Sequence, residues 1–303
     1  NCTDGKNFRG GYIQTMNSGN GFAMKDNRIL FNFIFSSEKK VISQAYHTGT
    51  GTSPGDDSGP KVDPPGKYYA LLIGNSNYGV HGKWASLKSP VNDITEIGNI
   101  LKKKYKFEKV ISIKNANRKE IFKGFYDLSK LSTDNDYVLI YYSGHGDIVT
   151  NQSYWIPIDG EKESAYGDWI NIKDIQNFIK KDAPNEILAR HLVIMSDSCY
   201  FAVGTKGNKL LDNKTKSYQK LLNRKARIVV ASGSNEPVED TNQDHSVFGM
   251  SFIETLKSNE SVVRMTNVVD AIILAHSGMD QQPYSQRMHG NYGGDFLFVV
   301  KNK

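Results

Sequence analysis

Cysteine is nearly absent. The chain of 303 residues holds only Cys2 and Cys199. Two thiols make neither a disulfide framework nor a cysteine-based metal cluster, and a Cys2–Cys199 bridge is not expected. No apolar run approaches the roughly 20 residues of a membrane-spanning helix. No block of Lys and Arg is interleaved with aromatics in the manner of a nucleic-acid groove. The net charge of +6 is mild, and Lys102-Lys103-Lys104 reads as the solvated face of a helix. The sequence begins with Asn rather than Met, which reads as trimming or processing. That leaves the compartment open between the cytoplasm, slightly favoured, and export after removal of a signal.

What is present divides into three parts. Residues 1–47 place glycine turns between short aromatic runs, such as Gly19-Asn20-Gly21-Phe22 and Ile29-Leu30-Phe31-Asn32-Phe33-Ile34-Phe35. They read as a small β-rich segment. Residues 48–66, rich in Gly, Thr, Ser, Asp and Pro, cannot bury a core and read as a flexible linker. From residue 67 to 303 apolar runs of strand length alternate with segments of helical period. This predicts an α/β domain: a mostly parallel sheet of about six strands with helices on both faces.

Strands are expected over Tyr68–Gly74, Lys109–Ile113, Asp136–Ile140, His191–Met195, Arg227–Ala231 and Phe296–Val300, with Tyr154–Ile158 a short edge strand because of Pro157. Helices are expected from Ser89 (as N-cap, with Pro90 at N1) to about Tyr105, and over Arg118–Leu131, Ile172–Lys181, Val247–Ser258 and Thr266–His276. Phe201–Lys225, with seven basic residues among glycines and asparagines, begins as an exposed loop. It is open between a plain solvated loop and a processing loop.

Two of the buried strands end in chemistry. One runs into Tyr142-Ser143-Gly144-His145-Gly146, the other into Asp197-Ser198-Cys199-Tyr200. Sites in open α/β sheets gather at the carboxyl ends of strands. A histidine at one such end and a thiol at another propose a Cys–His dyad, in which the imidazole generates the thiolate and later protonates a leaving amine. The backbone N–H groups of Gly146 and Cys199 are the expected oxyanion donors. The natural reaction is acyl transfer. No third side chain suggests itself, so backbone or water would orient the imidazole.

These motifs, with Ala70-Leu71-Leu72-Ile73-Gly74, Leu87-Lys88-Ser89-Pro90-Val91-Asn92-Asp93-Ile94 and Gly293-Gly294-Asp295-Phe296, resemble the caspase-like cysteine peptidases. They are most similar to metacaspases, paracaspases and their bacterial relatives. The resemblance covers roughly residues 67 to 303 and implies His145 as base and Cys199 as nucleophile. It further implies an acidic specificity pocket from Asp93 and Asp197, with Ser143 as a polar wall and Glu236 as a further acidic residue. Such a pocket favours a guanidinium or ammonium, so the expected partners are protein or peptide substrates with Arg or Lys at the cleaved bond. No cofactor is implied, and calcium dependence stays open because no calcium cluster carries over by motif. One departure stands out: Phe201-Ala202 replaces the Ser-Gly that the family usually places two residues after the Cys. The alternative function is a caspase-like pseudoenzyme or adaptor that binds proteins.

Overall fold

The computed structural model describes strands within residues 13–34 and, beyond them, residues 62–80, 84–161, 167–199, 218–233, 244–279 and 282–301. The chain forms two compact units, Asn1–Asp57 and Ser58–Lys303. In the first, β1 (Ile13–Thr15), β2 (Asn20–Lys25) and β3 (Arg28–Ile34) pair antiparallel as a meander in the order β1-β2-β3. In the second, Val62 already packs into the main core.

The second unit runs β4 (Tyr68–Gly74), α1 (Ser89–Lys104), β5 (Phe107–Lys114), α2 (Arg118–Leu131), β6 (Tyr137–Ser143). A small hairpin region follows: β7 (Gly146–Val149), β8 (Gln152–Trp155) and β9 (Ile170–Asn171), then α3 (Ile172–Ile179). Next come β10 (His191–Asp197), α4 (Tyr218–Asn223), β11 (Ala226–Ala231) and α5 (Val247–Ser258). β12 (Val262–Arg264), α6 (Met265–Ala275), β13 (Tyr284–Arg287) and β14 (Leu297–Val299) complete it. Six strands form the central sheet in the order β13-β11-β10-β6-β4-β5. All neighbours are parallel except the β11–β13 pair.

Every residue of β4, β6 and β10 is buried, as expected of parallel strands covered on both faces. Alternation splits their side chains between two cores. Leu72, Leu139, Tyr141, Val193 and Met195 pack with Ile94 and Ile97 of α1, Phe248 and Phe252 of α5 and Val268 of α6. Leu71, Ile140, Tyr142, Leu192 and Ile194 pack with Ile121 and Phe125 of α2 and Ile175 of α3. The domain is therefore three layers deep, with α1, α5 and α6 on one face of the sheet and α2 and α3 on the other.

Local chemistry fixes the helix starts. Asn117 and Glu120 form a reciprocal capping box at α2, Asn171 caps α3 and Ser246 caps α5. The start of α1 differs from the sequence expectation. Ser89 lies inside the helix, and Lys88 holds the cap position without a side-chain bond. Lys104 is likewise not simply solvated: its ammonium donates to the carbonyls of Leu256 (3.0 Å) and Lys257 (2.7 Å) at the end of α5.

Two strand expectations also change. The segment expected at a sheet edge over Tyr154–Ile158 stops at Trp155, before Pro157, and belongs to a separate sheet β7-β8-β9. The closing strand β14 pairs antiparallel with β12 rather than joining the central sheet. Strand β13 takes the edge beside β11 instead.

Candidate active site

Strands β6 and β10 lie side by side in parallel register, with Ser143 opposite Asp197. His145 and Cys199 each stand two residues beyond that last pair. The two turns are bound together: the Gly144 amide donates to the Asp197 carbonyl at 3.3 Å. Gly146 presses against the carbonyl of Cys199 so closely that a β-carbon there would stand 2.3 Å from that oxygen. His145 and Cys199 are both half-buried, and Cys199 carries a thiol, not half a disulfide. Cys2 lies outside the described residues.

The imidazole of His145 is held from three sides. Its Nε2 lies 2.7 Å from the Ala85 carbonyl oxygen. A carbonyl only accepts, so Nε2 carries the proton and, in the neutral ring, Nδ1 is left as the basic nitrogen. Tyr78 meets the ring edge-on at 4.6 Å between centroids, and Trp84 tilts over it at 5.1 Å. The backbone is fixed as well. The His145 amide donates to the Tyr78 hydroxyl at 3.0 Å, and the Tyr142 hydroxyl donates to the His145 carbonyl at 2.7 Å. The third element that the sequence left to backbone or water is therefore a backbone carbonyl, that of Ala85.

The Cys199 turn is anchored from below. Trp155 Nε1 donates to Ser196 Oγ at 2.8 Å, and Ser196 and Ser198 share a hydrogen bond of 2.8 Å. Just beyond β11, the Ser232 amide donates to the Ser196 carbonyl at 3.0 Å.

Asp93 and Asp197 also meet, across a residue the sequence reading did not single out. Both carboxylates are buried, Asp93 completely. The hydroxyl of Ser246 stands 3.0 Å from Asp93 Oδ2 and 2.6 Å from Asp197 Oδ2. Ser143 reaches only Asp197, at 3.4 Å. Gly249 makes room for this arrangement, since a β-carbon there would fall 2.5 Å from the Asp93 carboxyl carbon. The Asp93 carboxylate thus sits at the amino end of α5, where the helix dipole favours negative charge.

Ser246 has few hydrogen bonds to distribute in this trio. Ser246 Oγ already accepts from the Gly249 amide at 2.8 Å. It has one proton to give and one lone pair left. That proton is either shared between the two carboxylates, with the shorter contact to Asp197, or given to one while the hydroxyl accepts from the other as a protonated acid. Burial first, and the Asp93 charge second, push the Asp197 carboxyl up to about 7, with the hydroxyls of Ser246, Ser232 and Ser143 opposing. Burial also raises Asp93, against the pull of His245 and Ser246. His245 Nδ1 lies 2.7 Å from Asp93 Oδ1, and that partner raises the imidazole above its ordinary value. The two shifts point the same way: a proton is held more readily on Asp197 than on an ordinary carboxyl, and more readily on His245 than on an ordinary imidazole.

Two residues of this trio-and-imidazole cluster, His245 and Ser246, escaped the sequence reading. The available signal was Ser246 immediately before the apolar run of α5, an N-cap pattern. Glu236, Tyr200 and Phe201-Ala202 lie outside the described residues. Among the described residues no three His, Cys, Asp or Glu side chains converge to hold a metal ion, and no helix is long and apolar enough to cross a membrane.

Comparison with known proteins agrees with this architecture. A family model described as the caspase domain matches residues 67–291. The human mucosa-associated lymphoid tissue lymphoma translocation protein 1 is 37% identical over 90 residues, which is 30% of this chain and 10% of that protein. Metacaspase-1 of Meyerozyma guilliermondii is 26% identical over 168 residues, 47% of this chain and 39% of that protein. The chain thus spans well under half the length of these curated relatives. The solved structure of caspase-1 from Spodoptera frugiperda superposes with a TM-score of 0.53 at 12% identity, covering 80% of this chain and 94% of that one. With the match over residues 67–291, the chain belongs to the caspase-domain family of cysteine peptidases.

Proposed function

We propose that this protein is an endopeptidase that uses Cys199 and His145 to hydrolyse peptide bonds after basic residues, Arg in preference to Lys. The observation that carries the reading is the equal overhang of His145 and Cys199 on adjacent strands, with Nε2 on the Ala85 carbonyl and Nδ1 left basic. In this mechanism Nδ1 takes the thiol proton and the thiolate attacks the scissile carbonyl. The N–H groups of Gly146 and Cys199 receive the oxyanion. The imidazolium then protonates the leaving amine, and water, deprotonated by the same ring, hydrolyses the thioester.

The acid pair supports the preference for basic side chains. Asp93 and Asp197 lie within one hydroxyl of each other, an arrangement that repels an anion and gains from a cation. An arginine offers forked donors to two carboxylates, a lysine a single point charge. Asp197 lies two residues before Cys199 on the same strand end, which ties the pocket to the nucleophile. The bonds after Lys or Arg in Phe201–Lys225 fit the same preference and make self-processing part of the reading.

The test is covalent labelling with a thiol-reactive peptide ending in Arg. Stoichiometric labelling of wild type, absent in Cys199→Ala and outcompeted by Arg peptides but not by Asp peptides, supports the proposal. A folded protein whose Cys199 ignores the probe is instead a binding module.

A further inference from the structure

The acid pair is not open. Asp93 is wholly buried, and both its oxygens are engaged by one short segment: Oδ1 by His245 Nδ1 at 2.7 Å, Oδ2 by the Ser246 hydroxyl at 3.0 Å. Of these groups the His245 ring is the outermost, with a side chain 20% exposed. A cation coming from solvent therefore meets His245 before it meets Asp93.

We propose that His245 is a specificity-determining residue of this pocket: its imidazolium occupies Asp93 in the unliganded protein, and a substrate guanidinium or ammonium displaces it. The inference rests on the reading that the acid pair receives a basic side chain.

Charge bookkeeping around the ring favours displacement over coexistence. From α1 the ring contacts Asp93 and feels the charge of Glu96, and from α5 it feels that of Lys257. Glu96 is already bound to Lys257 at 2.9 Å. The neighbouring Asp244 is paired with Lys88 at 3.2 Å. Asp197 reaches the ring through Ser246, and burial raises its carboxyl to about 7, which weakens its claim as a counter-charge. Asp93 is thus the buried carboxylate in direct contact with the ring, and a second cation beside it would be poorly compensated. The backbone need not move for the ring to leave: Asn92 Nδ2 holds the Asp244 carbonyl at 3.1 Å, and Ser246 is fixed as the α5 cap. Rotation of the side chain into solvent suffices.

The sign of the pH effect follows. The imidazole is raised above its ordinary value by Asp93, so competition is full below that value and fades as pH rises through it. Asp197, pushed up to about 7, loses its proton over the same rise and also strengthens cation binding, so the wild-type profile alone does not isolate His245.

The experiment compares wild type, His245→Ala and His245→Arg on matched fluorogenic peptides ending in Arg, Lys and Leu. His245→Ala is expected to lower KM for the Arg and Lys peptides by roughly three- to tenfold near neutral pH, the scale of one ordinary net hydrogen bond. His245→Arg, a cation that does not titrate, is expected to raise it. The gap between wild type and His245→Ala closes as pH rises. His245→Gln, which keeps a neutral donor beside Asp93, replaces the alanine variant if removing the ring prevents folding. KM shifts of the same sign in the Ala (or Gln) and Arg variants overturn the inference, because a ring that merely supports the pocket loses binding either way. A wild type with no preference for basic peptides overturns the underlying reading instead.

Discussion

Gly146 touches the carbonyl oxygen of Cys199, and no side chain fits between them. The contact sets the spacing between the histidine turn and the cysteine turn. Gly146→Ala forces one turn away from the other while leaving β6 and β10 paired below. A misplacement of about 1 Å costs on the order of a hundredfold in rate. The expected result is a loss of about that size in kcat/KM, with unchanged far-ultraviolet circular dichroism. Near-normal turnover by the alanine variant would mean that this contact does not set the reacting geometry.

The acid pair gives a second expectation. Asp93→Asn or Asp197→Asn removes one charged acceptor from an incoming arginine. At about 1.5–3 kcal/mol for a charge-assisted hydrogen bond, kcat/KM for Arg peptides falls roughly ten- to a hundredfold. Neither variant gains cleavage after Asp, because no cation has been added to the pocket. Unchanged Arg rates in both variants would show that the basic side chain binds elsewhere.

The same pair predicts a pH dependence of stability. Asp197 in the folded protein titrates near 7, well above an ordinary carboxylate. The native state therefore binds the proton more tightly than the unfolded chain. Its contribution is full at acidic pH and is lost as pH rises from about 4 through about 7. Asp197→Asn removes that loss. Its melting temperature at pH near 8 is expected to exceed that of wild type by roughly 2–8 °C, with the advantage shrinking toward pH near 4. A variant less stable than wild type at the higher pH would mean that the ionised carboxylate stabilises the fold.

Helix α4 limits where the proposed self-processing can occur. Leu221 and Leu222 are buried in the main core, so the bonds after Lys220, Arg224 and Lys225 are not available without unfolding this helix or the start of β11. Fragments from autoproteolysis are expected to end at Lys206, Lys209, Lys214 or Lys216. Mass spectrometry of wild type and Cys199→Ala after incubation checks this. Identical fragments in both would point to a contaminating protease, and termini at Lys220 or beyond would show that α4 opens.

Elements with a strong local signal were legible in the sequence. Helix α2 runs over the expected Arg118–Leu131, and the structure adds that Asn117 and Glu120 cap it. Strands β4, β6 and β10 announced themselves as apolar runs too short for helices. Strand β13 carried no such signal: Tyr284-Ser285-Gln286-Arg287 is half-buried throughout, and its pairing with β11 comes from the completed sheet. The site divides in the same way. His145, Cys199, Asp93 and Asp197 stood at strand ends or in motifs that a reader can see. His245 and Ser246 did not, because their partner Asp93 lies 152 and 153 residues away. Only the packing of α5 against α1 makes them part of one cluster.

Strand β10 also carries a check on its own assembly. Val193, Met195 and Asp197 point to one face of the sheet, and Leu192, Ile194 and Ser196 to the other. A slip of one residue during folding would exchange the two sets. An ionisable carboxyl would then be driven beneath Trp155, among the apolar side chains of α2 and α3, while Ser196 would arrive at Ser246 with no acid to share its proton. Purely apolar alternation penalises such an error weakly when both faces are buried, since either set is content in either core. Here two polar residues in succession, each with a dedicated partner on its own face, make the misregistered sheet costly. Asp197, proposed to select the substrate, thereby also helps proofread the strand that delivers the nucleophile.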